Sequence, residues 1–302
     1  MTIFQLRESF SMKIYYVDGE FVPSDKAVIP VEDLAVIRGY GVCDIMRTYK
    51  GRPYFLDEHM DRLENSARKI GLSLPWTSVE IKEIVLATLS KNSGMDEANI
   101  RIVITGGSSP DFFSPNGNPR LIVMVTPIQK LPGSWYVKGI KVITHTQERA
   151  VPDAKVISYI PAALALKKAE KQNAVEAIYV NQKNEALECT TSNLFAFFNT
   201  TLVTPDQGIL KGITRKLILS LGSRFFTIEE RGLKLEELLQ ADEVFISGTN
   251  KGVVPVIQID ETIIANGKPG KKTQTIIQAL DQHSMDFMKN PGNEHLISGQ
   301  KE

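Results

Sequence analysis

Only two cysteines, Cys43 and Cys189, occur in the 302 residues. A disulfide framework that could staple a small secreted fold is therefore excluded, and the pair fits a reducing compartment. Charge of one sign is also missing: 35 Lys and Arg balance 35 Asp and Glu. A nucleic-acid binder normally carries a basic excess, so that class is not expected. Long apolar runs are absent, the longest being stretches such as Leu121–Val125, far short of a membrane span. Met1–Met12 carries Glu8 and lacks a sustained apolar core, so it does not read as a signal peptide. The four histidines do not cluster, and no Walker A loop, GxGxxG fingerprint, HExxH helix or CxxC pair is found. What is present is an ordinary globular composition, 42% hydrophobic and 23% charged. The bulk reading is a cytoplasmic protein of enzyme size that acts on small molecules, without nucleic acid, membrane or metal.

Two units are expected. Residues 1–126 form a smaller N-terminal domain, of which 1–11 is a poorly ordered extension with Met12 as an alternative start. A linker at 127–137 leads into a larger domain at 138–285, and 286–302 is a frayed tail. In the first unit Asp18-Gly19 between Lys13–Val17 and Glu20–Val22 is a two-residue hairpin signal. Met60, Leu63, Ala67 and Ile70 at helical spacing predict a helix over Asp57–Ile70, stopped by Gly71. Thr77 and Glu80 form a capping box that opens a second helix through Leu89. Asn99–Thr105 and Leu121–Val125 read as strands, with Gly106–Pro119 a loop between them. In the second unit strands are expected at Ile140–His145, Ala177–Val180, Leu194–Phe198, Val244–Ser247 and Val254–Ile259. Helices are expected at Pro161–Lys171, Arg215–Leu221 and Leu235–Gln240. Strands and helices do not alternate strictly, so the fold class is α+β with a mixed sheet.

Five short segments carry candidate chemistry, and each has an ordinary reading beside the functional one. Arg62, in Glu58-His59-Met60-Asp61-Arg62-Leu63, is either a solvated helix residue or a planar charged fork aimed at a phosphate. Lys155, in Pro152-Asp153-Ala154-Lys155, is either solvent-facing or a partly desolvated amine that attacks an aldehyde. In Glu188-Cys189-Thr190-Thr191-Ser192-Asn193-Leu194-Phe195 the polar residues cap a turn, or Glu188 faces a pocket where it keeps a pyridine nitrogen protonated. Leu210-Lys211-Gly212-Ile213-Thr214-Arg215 is a loop with Thr214 as N-cap, or a helix N-terminus whose Ile213 and Thr214 amides cradle a phosphate. Val244-Phe245-Ile246-Ser247-Gly248-Thr249-Asn250 runs from a strand into a turn, where Thr249 offers a hydroxyl to the same phosphate or merely begins the turn.

In this order the five segments resemble the class IV, or fold type IV, pyridoxal 5′-phosphate enzymes over residues 13–280. That family includes branched-chain aminotransferases, D-amino acid aminotransferases and aminodeoxychorismate lyases. The resemblance implies a two-domain α+β fold and pyridoxal 5′-phosphate as cofactor. It also implies an amino acid and a 2-oxo acid such as 2-oxoglutarate as substrates, and a homodimer closed by a loop from the other subunit. Carried over by position, Lys155 is the cofactor-bearing and catalytic lysine and Glu188 the partner of the ring nitrogen. Arg62, Ile213, Thr214, Gly248 and Thr249 form the phosphate set. Tyr159, one helical turn after Lys155, reaches the cofactor's phenolic oxygen.

The pattern departs from the family where substrate is chosen. D-amino acid aminotransferases often carry Arg-Gly after the strand that corresponds to Asn99–Thr105, and here the pair is Gly106-Gly107. Arg101 within the strand, Arg38 and Tyr40 around Gly39, and Arg47 after Met46 are the candidate substrate-binding residues. The three arginines either hold a substrate carboxylate or form structural ion pairs. The substrate is a branched-chain L- or a D-amino acid. A lyase of the aminodeoxychorismate type shares every cofactor residue and stands as the alternative, with a non-catalytic ligand-binding or structural protein behind it.

Overall fold

The computed structural model describes residues 13–95 and 97–290. The extension at 1–11, Met12 and most of the expected tail lie outside the described residues. The chain divides into two compact units, Met1–Ile128 and Gln129–Glu302.

The first unit opens with β1 (Ile14–Val17) and β2 (Glu20–Pro23), joined by the expected hairpin turn. Asp18 and Gly19 both take positive φ, as such a turn requires. There follow α1 (Leu34–Arg38), β3 (Gly41–Tyr49), β4 (Arg52–Pro53), α2 (Leu56–Lys69), α3 (Ser78–Ser90), β5 (Ala98–Thr105) and β6 (Arg120–Pro127). The six strands form one sheet in the order β2-β1-β6-β5-β3-β4, antiparallel throughout. Helix α2 places Asp57 and Glu58 in its first turn and Arg68 and Lys69 in its last, matching its dipole. The capping box of α3 is formed: Thr77 N–H donates to Glu80 at 2.7 Å and Glu80 N–H returns a bond to Thr77 Oγ1 at 3.2 Å. Met60, Leu63 and Ala67 of α2 and Ile81 and Val85 of α3 pack onto Val42, Met46, Ile100, Ile102, Leu121 and Val123. Strand alternation sends the other residues, Cys43, Ile45, Arg47 and Arg101 among them, to the opposite face.

The second unit contains α4 (Ser134–Lys138), β7 (Ile140–Thr146), α5 (Ile160–Lys171), β8 (Glu176–Val180), β9 (Glu185–Cys189), β10 (Asn193–Phe198), β11 (Thr201–Thr204) and α6 (Ile213–Gly222). It continues with β12 (Thr227–Glu230), β13 (Leu233–Lys234), α7 (Leu235–Leu238), β14 (Glu243–Gly248), β15 (Gly252–Ile259), β16 (Thr262–Ile263) and α8 (Lys271–Lys289). The sheet runs β12-β11-β10-β14-β15-β7-β8-β9-β13, with β16 on β15. It is mixed: β11–β12, β15–β7 and β7–β8 are parallel and the other pairs antiparallel. Period-two alternation divides its side chains between two cores. Leu194, Ala196, Val244, Ile246 and Val254 join one, and Phe195, Phe197, Phe245 and Val253 join the other with Ile218 of α6 and Ile276 of α8.

Two sequence expectations need correction. The stretch read as linker contains α4. The tail expected from 286 begins inside α8, whose Phe287 is 2% exposed. There the burial of Thr273, Ile276, His283 and Phe287 at helical spacing holds a stretch whose polar composition had concealed it.

Candidate active site

Glu188 is the fourth residue of β9 and is buried. Its Oε1 accepts from Arg149 Nη1 at 3.0 Å, and its Oε2 accepts from the Leu210 amide at 3.1 Å and from Asn193 Nδ2 at 3.4 Å. Burial pushes the carboxyl above the usual range, outweighing the pull of Arg149, the Leu210 amide and the nearby charge of Lys155. The charged form, deprived of solvent, gains from a further cationic or N–H partner. The same guanidinium donates to the carbonyls of Pro152, at 3.2 Å, and Ala154. Arg149 therefore ties the chain just before Lys155 to the carboxylate carried by β9. Sequence reading missed this arginine, because nothing local distinguishes it; only its closeness to Lys155 along the chain hinted at a shared loop.

Lys155 is partly buried, and its Nζ donates to the Tyr159 hydroxyl at 3.1 Å. The expectation that Tyr159 lies one helical turn after Lys155 is corrected: Tyr159 occupies the N-cap position of α5, and residues 155–159 precede that helix. The contact arises because the loop folds back on itself. Tyr179 of β8 lies in the same electrostatic cluster. Burial, with Glu188 adding and Arg149 opposing, pushes it up to about 12, so its hydroxyl stays neutral.

On the second side of Glu188, α6 begins at Ile213 with Gly212 as N-cap and no side-chain capping bond. The reading of Thr214 as N-cap is thereby corrected. Among the described residues no side chain caps the first amides of α6, those of Ile213 and Thr214, and amides in this position can receive an anion. A side chain at Gly212 would displace its neighbour: a Cβ would come within 2.2 Å of Asn193 Oδ1. Asn193 also donates to the Leu210 carbonyl at 2.7 Å and pairs with Ser247 across the β10–β14 ladder. The N-terminus of α6 and the end of β14 thus lie on either side of one residue. Beyond Ser247, Gly248 pairs with Gly252, and the Lys251 amide donates to the Gly248 carbonyl at 3.1 Å. This places Thr249 and Asn250 at the tip of a tight hairpin turn. Ser247 Oγ and Asn250 Oδ1 are buried there without a hydrogen-bond partner among the described residues. Arg215, the last residue of its motif, is structural: it is buried and donates to Pro205 O at 2.9 Å and to Glu230 at 2.8 Å.

The remaining candidates belong to the first unit. Arg62 Nε and Nη2 both donate to the Asp44 carboxylate at 2.8 Å, and His59 Nδ1 lies 2.6 Å from the same group. Arg47 pairs with Glu97 at 2.5 Å and lies over the Tyr49 ring. Arg38 is exposed, donates to Ile37 O and reaches the Phe113 ring. The Tyr40 hydroxyl donates to Ile70 O. Arg101 is exposed on the sheet face that also carries Arg47. Among the described residues no group of His, Cys, Asp or Glu could hold a metal ion, and no helix is long and apolar enough to cross a membrane.

Within the second unit the arrangement fits a phosphorylated pyridine aldehyde. It offers an amine on Lys155, a buried carboxylate for a ring nitrogen, and, for a phosphate, helix amides without a side-chain cap and the orphaned Ser247 hydroxyl. Comparison with known proteins agrees. The profile of the family described as amino-transferase class IV matches residues 41–259. A Methanocaldococcus jannaschii protein assigned as a branched-chain-amino-acid aminotransferase is 34% identical over 275 residues, 88% of this chain and 94% of that one. D-alanine aminotransferase of Listeria monocytogenes is 31% identical over 270 residues, 87% of this chain and 93% of that one. Branched-chain amino acid aminotransferase of Escherichia coli superposes with a TM-score of 0.84 at 27% identity, covering 90% of this chain and 94% of that one. A second solved branched-chain amino acid aminotransferase, complexed with N-(5′-phosphopyridoxyl)-L-glutamate, gives 0.85 at 25%, covering 95% and 98%. These relatives are aminotransferases, which does not favour the lyase alternative. The chain belongs to the class IV aminotransferases and is a pyridoxal 5′-phosphate-dependent transaminase of fold type IV.

Proposed function

We propose that this enzyme transfers the amino group of a branched-chain L-amino acid to 2-oxoglutarate. The carrying observation is Gly106. A Cβ there would lie 3.1 Å from Leu34 Cβ and from Tyr40 Cδ1, tighter than ordinary contact, so an arginine at this position would require Leu34 and Tyr40 to give way. The carboxylate trap of the D-amino acid enzymes, an Arg-Gly pair at this place, is missing, and the glycine that replaces its arginine is closely packed. Arg101, exposed on the face it shares with Arg47, is the cation we assign to the substrate carboxylate. Arg47, already paired with Glu97, we assign to holding that face.

Pyridoxal 5′-phosphate, when bound, supplies an aldehyde for amines and a ring that withdraws electrons from the substrate α-carbon. The rest of the chemistry belongs to the chain. Lys155 is the residue that carries the cofactor, and its Nζ takes the proton from the substrate α-carbon and returns it on the other side of the exchange. Tyr159 holds Nζ through its hydroxyl and so fixes the direction of that transfer. Glu188 keeps the ring nitrogen protonated, an interaction that its buried setting strengthens. The Ile213 and Thr214 amides with Gly248 and Thr249 would receive the phosphate; the resemblance assigns Arg62 to the same group, and within its own unit Asp44 orients that guanidinium. The enzyme works as a homodimer in the cytoplasm, as the resemblance and the two-cysteine composition suggest.

The test is a donor panel with 2-oxoglutarate, measured as glutamate formed. L-Valine, L-leucine and L-isoleucine are expected to react well ahead of D-alanine. The second reading, a D-alanine enzyme, draws support from the Listeria monocytogenes relative. Faster turnover of D-alanine than of every L-donor would establish it instead.

A further inference from the structure

Glu176, the first residue of β8, is 1% exposed and is a heavily bonded carboxylate. Its Oε1 accepts from Thr191 Oγ1 at 2.8 Å, from Ser192 Oγ at 2.7 Å and from Lys251 Nζ. Its Oε2 accepts from Thr190 Oγ1 and from the Thr191 amide, both at 3.0 Å. Lys251 Nζ donates in addition to Thr191 Oγ1 and, at 3.1 Å, to Ser192 Oγ. The lysine starts from the hairpin turn that carries Gly248, Thr249 and Asn250, and its carbonyl is held by the Tyr136 hydroxyl at 3.0 Å. Its side chain thus crosses from that turn to the turn between Glu188 and Asn193. Gly248 is close to the same turn: a Cβ there would sit 3.4 Å from the Thr191 carbonyl.

One turn ends beside the acid assigned to the ring nitrogen, and the other carries the groups assigned to the phosphate. Neither Glu176 nor Lys251 has to touch the cofactor to fix the distance between them. We propose that the Glu176–Lys251 pair is a positioning device that locks the Gly248–Asn250 turn to the Thr190–Ser192 turn and thereby sets the affinity for the phosphate end of the cofactor. This rests on the assignment of Gly248 and Thr249 to the phosphate. The ammonium charge is already matched by a buried carboxylate, so its role is geometric rather than a direct attraction to phosphate. Two hydroxyls and a carboxylate within reach of one ammonium hold it in a single orientation.

The experiment titrates the full-length chain, stripped of cofactor, with pyridoxal 5′-phosphate and separately with pyridoxal, which lacks the phosphate. Binding is read by the change in cofactor absorbance. Wild type is expected to prefer the phosphorylated form strongly. If it binds the two equally, the phosphate assignment itself fails, independently of the pair. Given that preference, Lys251→Met is expected to lower affinity for the phosphorylated form by about tenfold to a hundredfold, the range for losing hydrogen bonds to charged groups. Affinity for pyridoxal should stay within about twofold, so the ratio collapses. A purely structural role would weaken both ligands alike or neither, and either result overturns the proposal. Glu176→Gln should shift the ratio the same way. A tighter grip on the phosphorylated form in that variant would show that Lys251 acts by charge, and would also overturn it. Thr191→Val removes one of the two hydroxyls shared by the pair and provides a milder variant, with a smaller shift in the same direction.

Discussion

Glu188 is caught between burial, which favours its neutral form, and Arg149, which favours its charge. Removing the arginine should therefore raise the acid's pKa further and loosen the loop that leads into Lys155. For Arg149→Met the acidic limb of the kcat/KM profile is expected to move to higher pH, because more alkaline solution is then needed to ionise Glu188. An unmoved limb would separate Arg149 from the acid's titration. Glu188→Gln should retain cofactor yet lose at least about tenfold in kcat, since an adjacent opposite charge is worth about one to three pKa units to the ring base. Lys155→Ala removes the proton carrier, a loss of about 10²- to 10⁴-fold. Borohydride reduction of the wild-type holoenzyme followed by peptide mapping should place the cofactor on Lys155; a label on another lysine would reassign the residue.

Between β3 and α2 the chain buries a charged cluster of Asp44, His59 and Arg62. Asp44 is fully buried, and burial alone would raise its carboxyl. Arg62 and His59 together outweigh that effect and hold it well below the usual carboxylate range. A carboxyl lowered in the folded state contributes stability that is present above its unfolded value, about 3.9. That contribution is lost as the pH falls below about 4 toward the folded value. Asp44→Asn is expected to cost about 3–5 kcal/mol at pH 7, because Arg62 is left partly buried without its partner. The cost should shrink as the pH falls from about 4 to about 3, measured by urea unfolding at each pH. At the start of α6, Gly212→Ala forces a Cβ against Asn193 Oδ1. Overpacking of this kind costs about 1–3 kcal/mol, and here it also displaces the residue that joins Glu188 to the helix. A loss of cofactor affinity together with the drop in Tm is expected.

For the molecule as a whole, each unit carries its own core, and the candidate residues are divided between them. Lys155, Tyr159, Glu188, Ile213, Thr214, Gly248 and Thr249 belong to the second unit, while Arg62, Arg38, Tyr40, Arg47 and Arg101 belong to the first. The homodimer we propose is checked by light scattering coupled to size exclusion. A mass of twice the chain is expected at micromolar concentration, and a monomer with full activity would remove the dimer from the mechanism.

The sequence by itself determined what depends on local rules. The Asp18-Gly19 turn, the Thr77–Glu80 box and the α2 stripe follow from φ preference, capping and helical spacing, and each is found in place. The ordered motifs likewise determined the family, because cofactor chemistry demands particular side chains in a particular order. Strand β3 was not legible, since its mixture of Asp44, Arg47 and apolar residues lacks clean alternation. Helix α8 was masked by its polar exposed face. Only the tertiary structure decided that Arg149 serves Glu188, that Asp44 holds Arg62, and that Glu176 meets Lys251. Those partners are 39, 18 and 75 residues apart. The pairing of charges across such distances is set by which strands become neighbours, and no local pattern encodes it.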